Sequence, residues 1–248
     1  MKKLMLTLAA LALAVAVAAQ DREIDLERIE EFNKLELNKN ASRVKVKLST
    51  VTPMYFGWSV LTDVNYKGVW AVPGMAGCLD TRTGKNFVYG LELAALHFKP
   101  SGSPLDVSLG LRWTFMDFAF SRPDYTLRQS ALGYVFVPIA EETPAYNYDK
   151  SKIHANYFGI PLRVALHYGH ATVYAGASAE LCTGGYAKYK RPKSRTQIGE
   201  VFNPVRATVE GGFSYGLLGV YVQYGLTPLF RESLSDARTL TFGLVLGL

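Results

Sequence analysis

Residues 237–248 alternate without a break. Leu240, Phe242, Leu244, Leu246 and Leu248 take one parity, and Thr239, Thr241, Gly243, Val245 and Gly247 take the other. A strand sends successive side chains to opposite faces, so one face here is large and apolar and the other small. The same two-residue period recurs upstream and predicts eight long strands, over about 54–66, 86–99, 105–120, 153–168, 171–189, 204–215, 218–230 and 238–248. The connections alternate in length. Those at 99–104, 169–170 and 216–217 are short, and those at 67–85, 121–152, 190–203 and 231–237 are longer. Antiparallel neighbours need only a tight hairpin on one side, so all the short turns fall at one end and all the long loops at the other.

Two further segments alternate. Arg43 to Leu48 precedes Pro53 and reads as the lower part of the first strand, with a bulge at the proline. Leu132 to Ile139, inside the long second loop, reads as part of a hairpin above the wall. If both entered the wall as full strands the count would be ten. The expected fold is all-β, an antiparallel transmembrane β-barrel of eight strands.

The strand faces set its polarity. Val205, Val209, Phe213 and Tyr215 oppose Arg206, Thr208, Glu210 and Ser214. Leu105, Val107, Leu109, Leu111 and Trp113 oppose Asp106, Ser108, Gly110 and Arg112. Arg163 and His167 share a face with Tyr157 and Gly159, Glu180 with Tyr174 and Ser178, and Glu92 with Gly90 and Ala94. Glu92, Arg112, Arg163, Glu180, Arg206 and Glu210 therefore all fall on the small, polar face. An Arg or Lys facing lipid at mid-depth costs about 2 to 4 kcal/mol, so this face is the lumen and the leucine face the lipid side. Three acids against three bases predict a paired lumen network that locks the barrel. Trp58, Phe56, Tyr89, Trp113, Phe115, Tyr168, Tyr215 and Phe242 would supply aromatic girdles.

The amino terminus reads as an export signal over 1–19. Lys2 and Lys3 precede the apolar run Leu4 to Val17, and Val17-Ala18-Ala19 ends it with small residues. That run is shorter than the roughly 18 to 20 residues of a membrane helix, and no later run is longer. Cleavage before Gln20, with no cysteine there for a lipid anchor, lowers the formal charge from +6 to +4. Such a mild balance gives no nucleic-acid patch. The one basic cluster, Lys188 to Lys193, suits a solvated loop or a contact with anionic lipopolysaccharide. Residues 20–42 form an N-terminal periplasmic segment in which Leu26, Ile29, Phe32 and Leu35 recur as in a short amphipathic helix. The barrel takes residues 43–248.

The Ala-Ala signal end before Gln20, the paired glycines of Gly211-Gly-Phe-Ser-Tyr-Gly216 and the Thr-Leu-Thr-Phe-Gly-Leu-Val-Leu-Gly-Leu ending together resemble the outer-membrane β-barrel proteins common in Bacteroidetes. The likeness runs from about residue 43 to the end. It implies an outer-membrane location and partners in outer-membrane lipid and the barrel-assembly machinery. It also implies an accessory link to protein secretion in some members. Those proteins commonly end in an aromatic residue, where this chain has Leu248.

The sequence holds no His-Glu-x-x-His, Cys-x-x-Cys or phosphate-binding glycine loop, and neither cofactor nor metal is expected. Of His97, His154, His167 and His170, only His154 is a candidate base, with Ser151 in sequence reach. Cys78 and Cys182 both fall on the outer side, and an exported pair is permitted to form a disulfide. The expected function is non-enzymatic. It is a structural or interaction role for a monomer, through loops 67–85 and 121–152, with an extracellular or secretion-related protein as partner. Tyr125, Tyr134, Phe136, Tyr146 and Tyr148 in the second loop suit either a partner surface or a loop packed on itself. A small pore or carrier, a secretion accessory and an outer-leaflet lipid-modifying enzyme are the alternatives.

Overall fold

A computed structural model describes residues 44–49, 53–139, 150–190 and 194–247. The signal and amphipathic readings of 1–42, Tyr146, Tyr148 and Leu248 lie outside these residues. Among the described residues twelve strands form: β1 (Val44–Ser49), β2 (Met54–Thr62), β3 (Phe87–Pro100), β4 (Leu105–Ala119), β5 (Tyr125–Ser130), β6 (Gly133–Pro138), β7 (Ser151–Tyr168), β8 (Ala171–Tyr189), β9 (Ser194–Gln197), β10 (Val205–Tyr215), β11 (Leu218–Gly225) and β12 (Arg238–Leu246).

Eight antiparallel positions close into a barrel. β12 pairs with β2, and the order continues through β11, β10, β8, β7, β4 and β3 back to β2. The first position is made of two pieces. β1 pairs with the lower half of β3, from Val44 opposite Pro100 to Ser49 opposite Ala95. β2 pairs with its upper half, from Met54 opposite Leu91 to Trp58 opposite Phe87. The segment at 43–48 is thus part of the first strand, and β5 and β6 form a separate two-stranded hairpin outside the wall, so the barrel has eight strands. β9, within the connection at 190–203, extends the sheet beside the upper end of β8.

Val44 at the start of β1, Leu246 at the end of β12 and the short turns gather at one rim, called lower here, and the long loops at the upper rim. The two tightest turns each begin with a glycine at φ 61°, Gly169 and Gly216, followed by an ordinary residue. That conformation fits the right-handed twist of the strands and is strained for any residue with a Cβ.

Alternation places side chains as the pattern requires. On β7, Ile160, Leu162, Val164 and Leu166 point outward and Arg163 and Ala165 inward. On β12, Phe242, Leu244 and Leu246 point outward, while Thr239, Thr241 and Val245 are buried. Aromatic side chains collect at two heights on the outer surface. Phe56, Trp58, Phe87 and Tyr89 cluster on β2 and β3, and Trp113 stacks on Phe115 at 5.2 Å. Tyr168 and Tyr215 mark the lower rim.

One facing differs from expectation. A β-bulge between Glu92 and Ala94 shifts the β3 register against β4. Ala94 then pairs with outward Leu111 and leaves the face of Glu92. Below it Ala95, His97 and Lys99 share the lumen side with Asp106 and Ser108. An extra residue inverts parity beyond it, which strict alternation across 86–99 could not register.

The upper half of the barrel is filled by a hydrophobic core. Val88, Met116, Phe118, Ile153, Ala155 and Tyr157 from the wall meet loop residues that fold over them, among them Trp70, Leu79, Leu127, Phe136, Phe202 and Phe230. Trp70 is fully buried, with Phe136 at 5.1 Å and Phe230 at 5.2 Å, and its indole Nε1 donates to the Tyr134 carbonyl at 2.8 Å. Tyr125, Tyr134 and Phe136 of the second loop are thus turned into this cap, so the described part of the loop packs on its neighbours. Lys67 and Asn65 of the first loop both donate to Asp236 of the last at 2.6 Å. Trp70→Ala should cost about 3 to 5 kcal/mol of cap packing. The expected result is rapid proteolysis in the upper loops with the wall still protected, read by limited digestion and mass spectrometry.

Candidate functional site

The six lumen charges form one continuous chain of alternating sign. Arg163 holds Glu92 through two guanidinium nitrogens, one of them Nη1 at 3.1 Å from Oε1, and its Nε donates to Glu210 Oε1 at 2.6 Å. Glu210 Oε2 accepts from Arg112 Nη1 at 2.5 Å. Arg112 Nη2 reaches Glu180 Oε1 at 3.4 Å, and Glu180 Oε2 lies 2.7 Å from Arg206 Nη2. The last approach is off-axis, so it is a charge contact without a directed hydrogen bond. All six side chains are buried, Glu210 most exposed at 6% and Arg206 at zero. Their formal charges cancel.

Most of these pairs skip a strand. Glu92 and Arg112 stand opposite each other in register on β3 and β4, yet Glu92 pairs with Arg163 on β7 and Arg112 with Glu210 on β10. Arg163 to Glu210 passes over β8, and Arg112 to Glu180 passes over β7. Only Arg206 and Glu180 are register neighbours. The network therefore braces the barrel across its width.

Neighbouring side chains complete it. Ser178 Oγ donates to Glu180 and accepts from Arg112, both at 3.1 Å, and meets Thr208 at 2.7 Å. Gln223 donates to Thr208 at 3.1 Å. The Tyr55 ring lies under both Arg112 and Arg163, at 5.3 and 5.4 Å, and Arg206 lies over Tyr157 at 4.8 Å. Two wall glycines make the room. Gly159 stands between Arg112 and Glu180 in register, and Gly176 between Arg163 and Glu210. A Cβ at Gly159 would lie 2.5 Å from Glu180 Cγ, and one at Gly176 would lie 2.8 Å from Arg163 Cγ. Sequence parity puts these groups on the lumen face, but it carries no sign of which acid meets which base or why the glycines are there.

Below the ladder the lumen opens into a cavity of about 190 Å³ at the lower mouth, lined in part by Lys47, Glu92, His97, Asp106, Arg163 and His167. Asp106 is its hub. Lys99 Nζ lies 2.9 Å from the carboxylate, His97 Nδ1 3.0 Å and His167 Nε2 3.3 Å, while His167 Nδ1 meets Thr172 at 2.8 Å. The bulge in β3 is what turns His97 and Lys99 toward it. This constellation holds two imidazoles in fixed orientation against one carboxylate.

The other candidates come apart. Ser151 points inward and is fully buried, whereas His154 points outward to Asp117 Oδ1 at 2.7 Å and Asn156 Oδ1 at 2.6 Å. Three residues apart on a strand, they lie on opposite faces and form no nucleophile–base pair. Cys78 and Cys182 are both free, which corrects the expectation of a disulfide between them. Cys78 is sealed in the cap cluster beside Trp70 and Leu79. Cys182 sits in the β8 wall, with its Sγ toward the Gly184 carbonyl at 3.8 Å. A shared side of the barrel does not supply the close Cβ approach that a disulfide needs. Burial pushes the Cys78 thiol up from its ordinary value, further than Arg122 draws it down.

No family model matches the chain, and no curated protein does. Among solved structures it is similar to a crystal structure of Neisserial surface protein A, at 9% identity and a TM-score of 0.38, over 82% of this chain and 99% of that one. That likeness is distant, and the fold rests on the strand pairing itself.

Glu210 joins two arginines, so its loss leaves both short of a partner in the lumen. Glu210→Leu should lower the unfolding free energy by about 3 to 5 kcal/mol, measured by denaturant titration of the folded protein in detergent. The thiols give a second check. Cys78 should resist maleimide at neutral pH in the folded protein, and both cysteines should alkylate after unfolding without reductant.

Proposed function

We propose that this chain is an integral outer-membrane β-barrel, exported by its leader, that conducts nothing and acts through the surface built by its upper loops. The observation that carries this reading is the inverted polarity of the wall. Six ionised groups are buried in the lumen while leucine, valine and aromatic side chains face outward around the barrel. On β7 the outward apolar run from Phe158 to Tyr168 spans roughly 25 Å at about 3.3 Å per residue and about 40° of tilt, which matches a lipid-facing band. A water-exposed barrel would have no use for that belt, and contiguous apolar patches of such size mark contact with lipid or protein. The paired glycines and the leucine-rich last strand support kinship with the barrels common in Bacteroidetes.

The absence of conduction is supported by the two fillings of the lumen, the ladder at mid-height and the cap above it. A non-enzymatic role is supported by the separation of His154 from Ser151 onto opposite faces. A monomer is supported by closure of the wall within one chain, since β2 and β12 pair with each other. The working surface is then the top of the cap, a set of loops held by Trp70 and the Asp236 contacts on a rigid wall. An extracellular or secretion-related protein is the partner this surface suits.

The full chain should fractionate with outer membranes, and its band on a detergent gel should shift on boiling. A soluble periplasmic protein without that shift would refute the reading. Purified protein in a planar bilayer should give no single-channel steps, and steady conductance would replace the sealed barrel with a pore.

A further inference from the structure

A row of cations faces outward above the aromatic band. Lys152 on β7 stands opposite Lys188 on β8, and Lys188 stands opposite Arg195 on β9. Like charges directly opposite one another across strands are destabilising, and three in a row call for a compensating anion. Among the described residues one acid is at hand. Asp117 holds Lys152 and His154 and does not reach Lys188 or Arg195. Lys150 registers the positive field. Its pKa is pushed down first by partial burial and then by Lys152, with Lys85 and Lys190 adding to it and Asp117 opposing.

The row is built on a rigid base. The Tyr186 ring is held between His154, stacked at 4.6 Å, and Arg195, whose guanidinium lies 3.8 Å from the ring centre. β9 exists as a strand only through its pairing with β8, and that pairing is what brings Arg195 beside Lys188. Lys152 lies on the outward face of β7 six residues above Phe158 and two above His154, whose register partners run through Asp117 to Phe87 of the upper aromatic group, so it sits just above that group. That is the level of the sugar headgroups of an outer-leaflet glycolipid, above its acyl chains. Long Lys and Arg side chains reach several ångströms further toward it.

We propose that the β7–β8–β9 face, through Lys188 and Arg195 with Lys152 beside them, binds the phosphate groups of a phosphorylated glycolipid in the outer leaflet. The proposal rests on the outer-membrane reading and adds a ligand class to it. Arg195 and Lys188 supply donors from adjacent strands, Tyr186 holds the guanidinium in place, and the apolar band below receives the acyl chains. A guanidinium fork suits a phosphate oxygen pair, and an ammonium adds charge beside it.

The test uses the full chain folded in a neutral detergent. It is titrated with deep-rough lipopolysaccharide, with the same glycolipid stripped of phosphate, and with inorganic phosphate, and bound species are counted by native mass spectrometry. The wild type should retain the phosphorylated glycolipid and release the stripped one. Lys188→Gln with Arg195→Gln should weaken retention about tenfold to thirtyfold, while the band still shifts on boiling. Equal retention by the double variant, or of stripped and phosphorylated glycolipid alike, would overturn the proposal. So would inorganic phosphate displacing the lipid at equal concentration, which would make this a small-anion site. If the wild type itself lacks the heat shift and fractionates as a soluble protein, the outer-membrane reading fails and this inference with it. A heat-shifted wild type that retains no phosphorylated glycolipid sinks this inference alone.

Discussion

Charge neutrality inside a narrow lumen is the condition on which this barrel stands. Each of Glu92, Arg112, Arg163, Glu180, Arg206 and Glu210 carries an effective desolvation cost of several kcal/mol, and only an oppositely charged group at contact distance offsets it. The structure meets this cost as a single alternating chain, in which Glu210 serves two arginines and Arg112 two carboxylates. Because most links skip a strand, they hold positions of the wall that backbone hydrogen bonding does not join. The tyrosines at 55 and 157 lend ring faces to the guanidiniums beside their carboxylate partners.

The same network sets where everything else sits. Mid-height is taken by charge, so apolar filling is displaced to the upper half, where loop side chains complete a core that the wall alone leaves open. The loops are consequently part of the folded body. Trp70 and Phe230 come from different loops and meet above the lumen, with Phe136 from the β5–β6 hairpin against Trp70. Below the ladder, the β3 bulge turns His97 and Lys99 inward, and Asp106 gathers them with His167.

Closing the lumen from within is why the proposed function is placed on surfaces. A barrel whose interior is filled offers its outer rim, its cap and the belt just above the apolar band. The cation row on β7, β8 and β9 lies on that belt, on strands much longer than the roughly 9 to 11 residues a crossing needs. The excess length of β7 and β8 is what lifts Lys152 and Lys188 above the band and gives β9 an edge to pair with.

The sequence by itself determined the wall. Alternation over the long strands identified eight of them, the sorting of short and long connections fixed which end carried the loops, and the parity of Arg206 and Glu210 told lumen from exterior. These properties are local, because a strand's two faces are written into every second residue. Only the tertiary structure decided the pairing. Which acid meets which base, the Gly159 and Gly176 gaps, the reversal at the β3 bulge, the free state of Cys78 and Cys182 and the approach of Arg195 to Lys188 all depend on strand register and barrel curvature. Those bring together residues tens of positions apart, and a face pattern contains no record of the partner across the lumen.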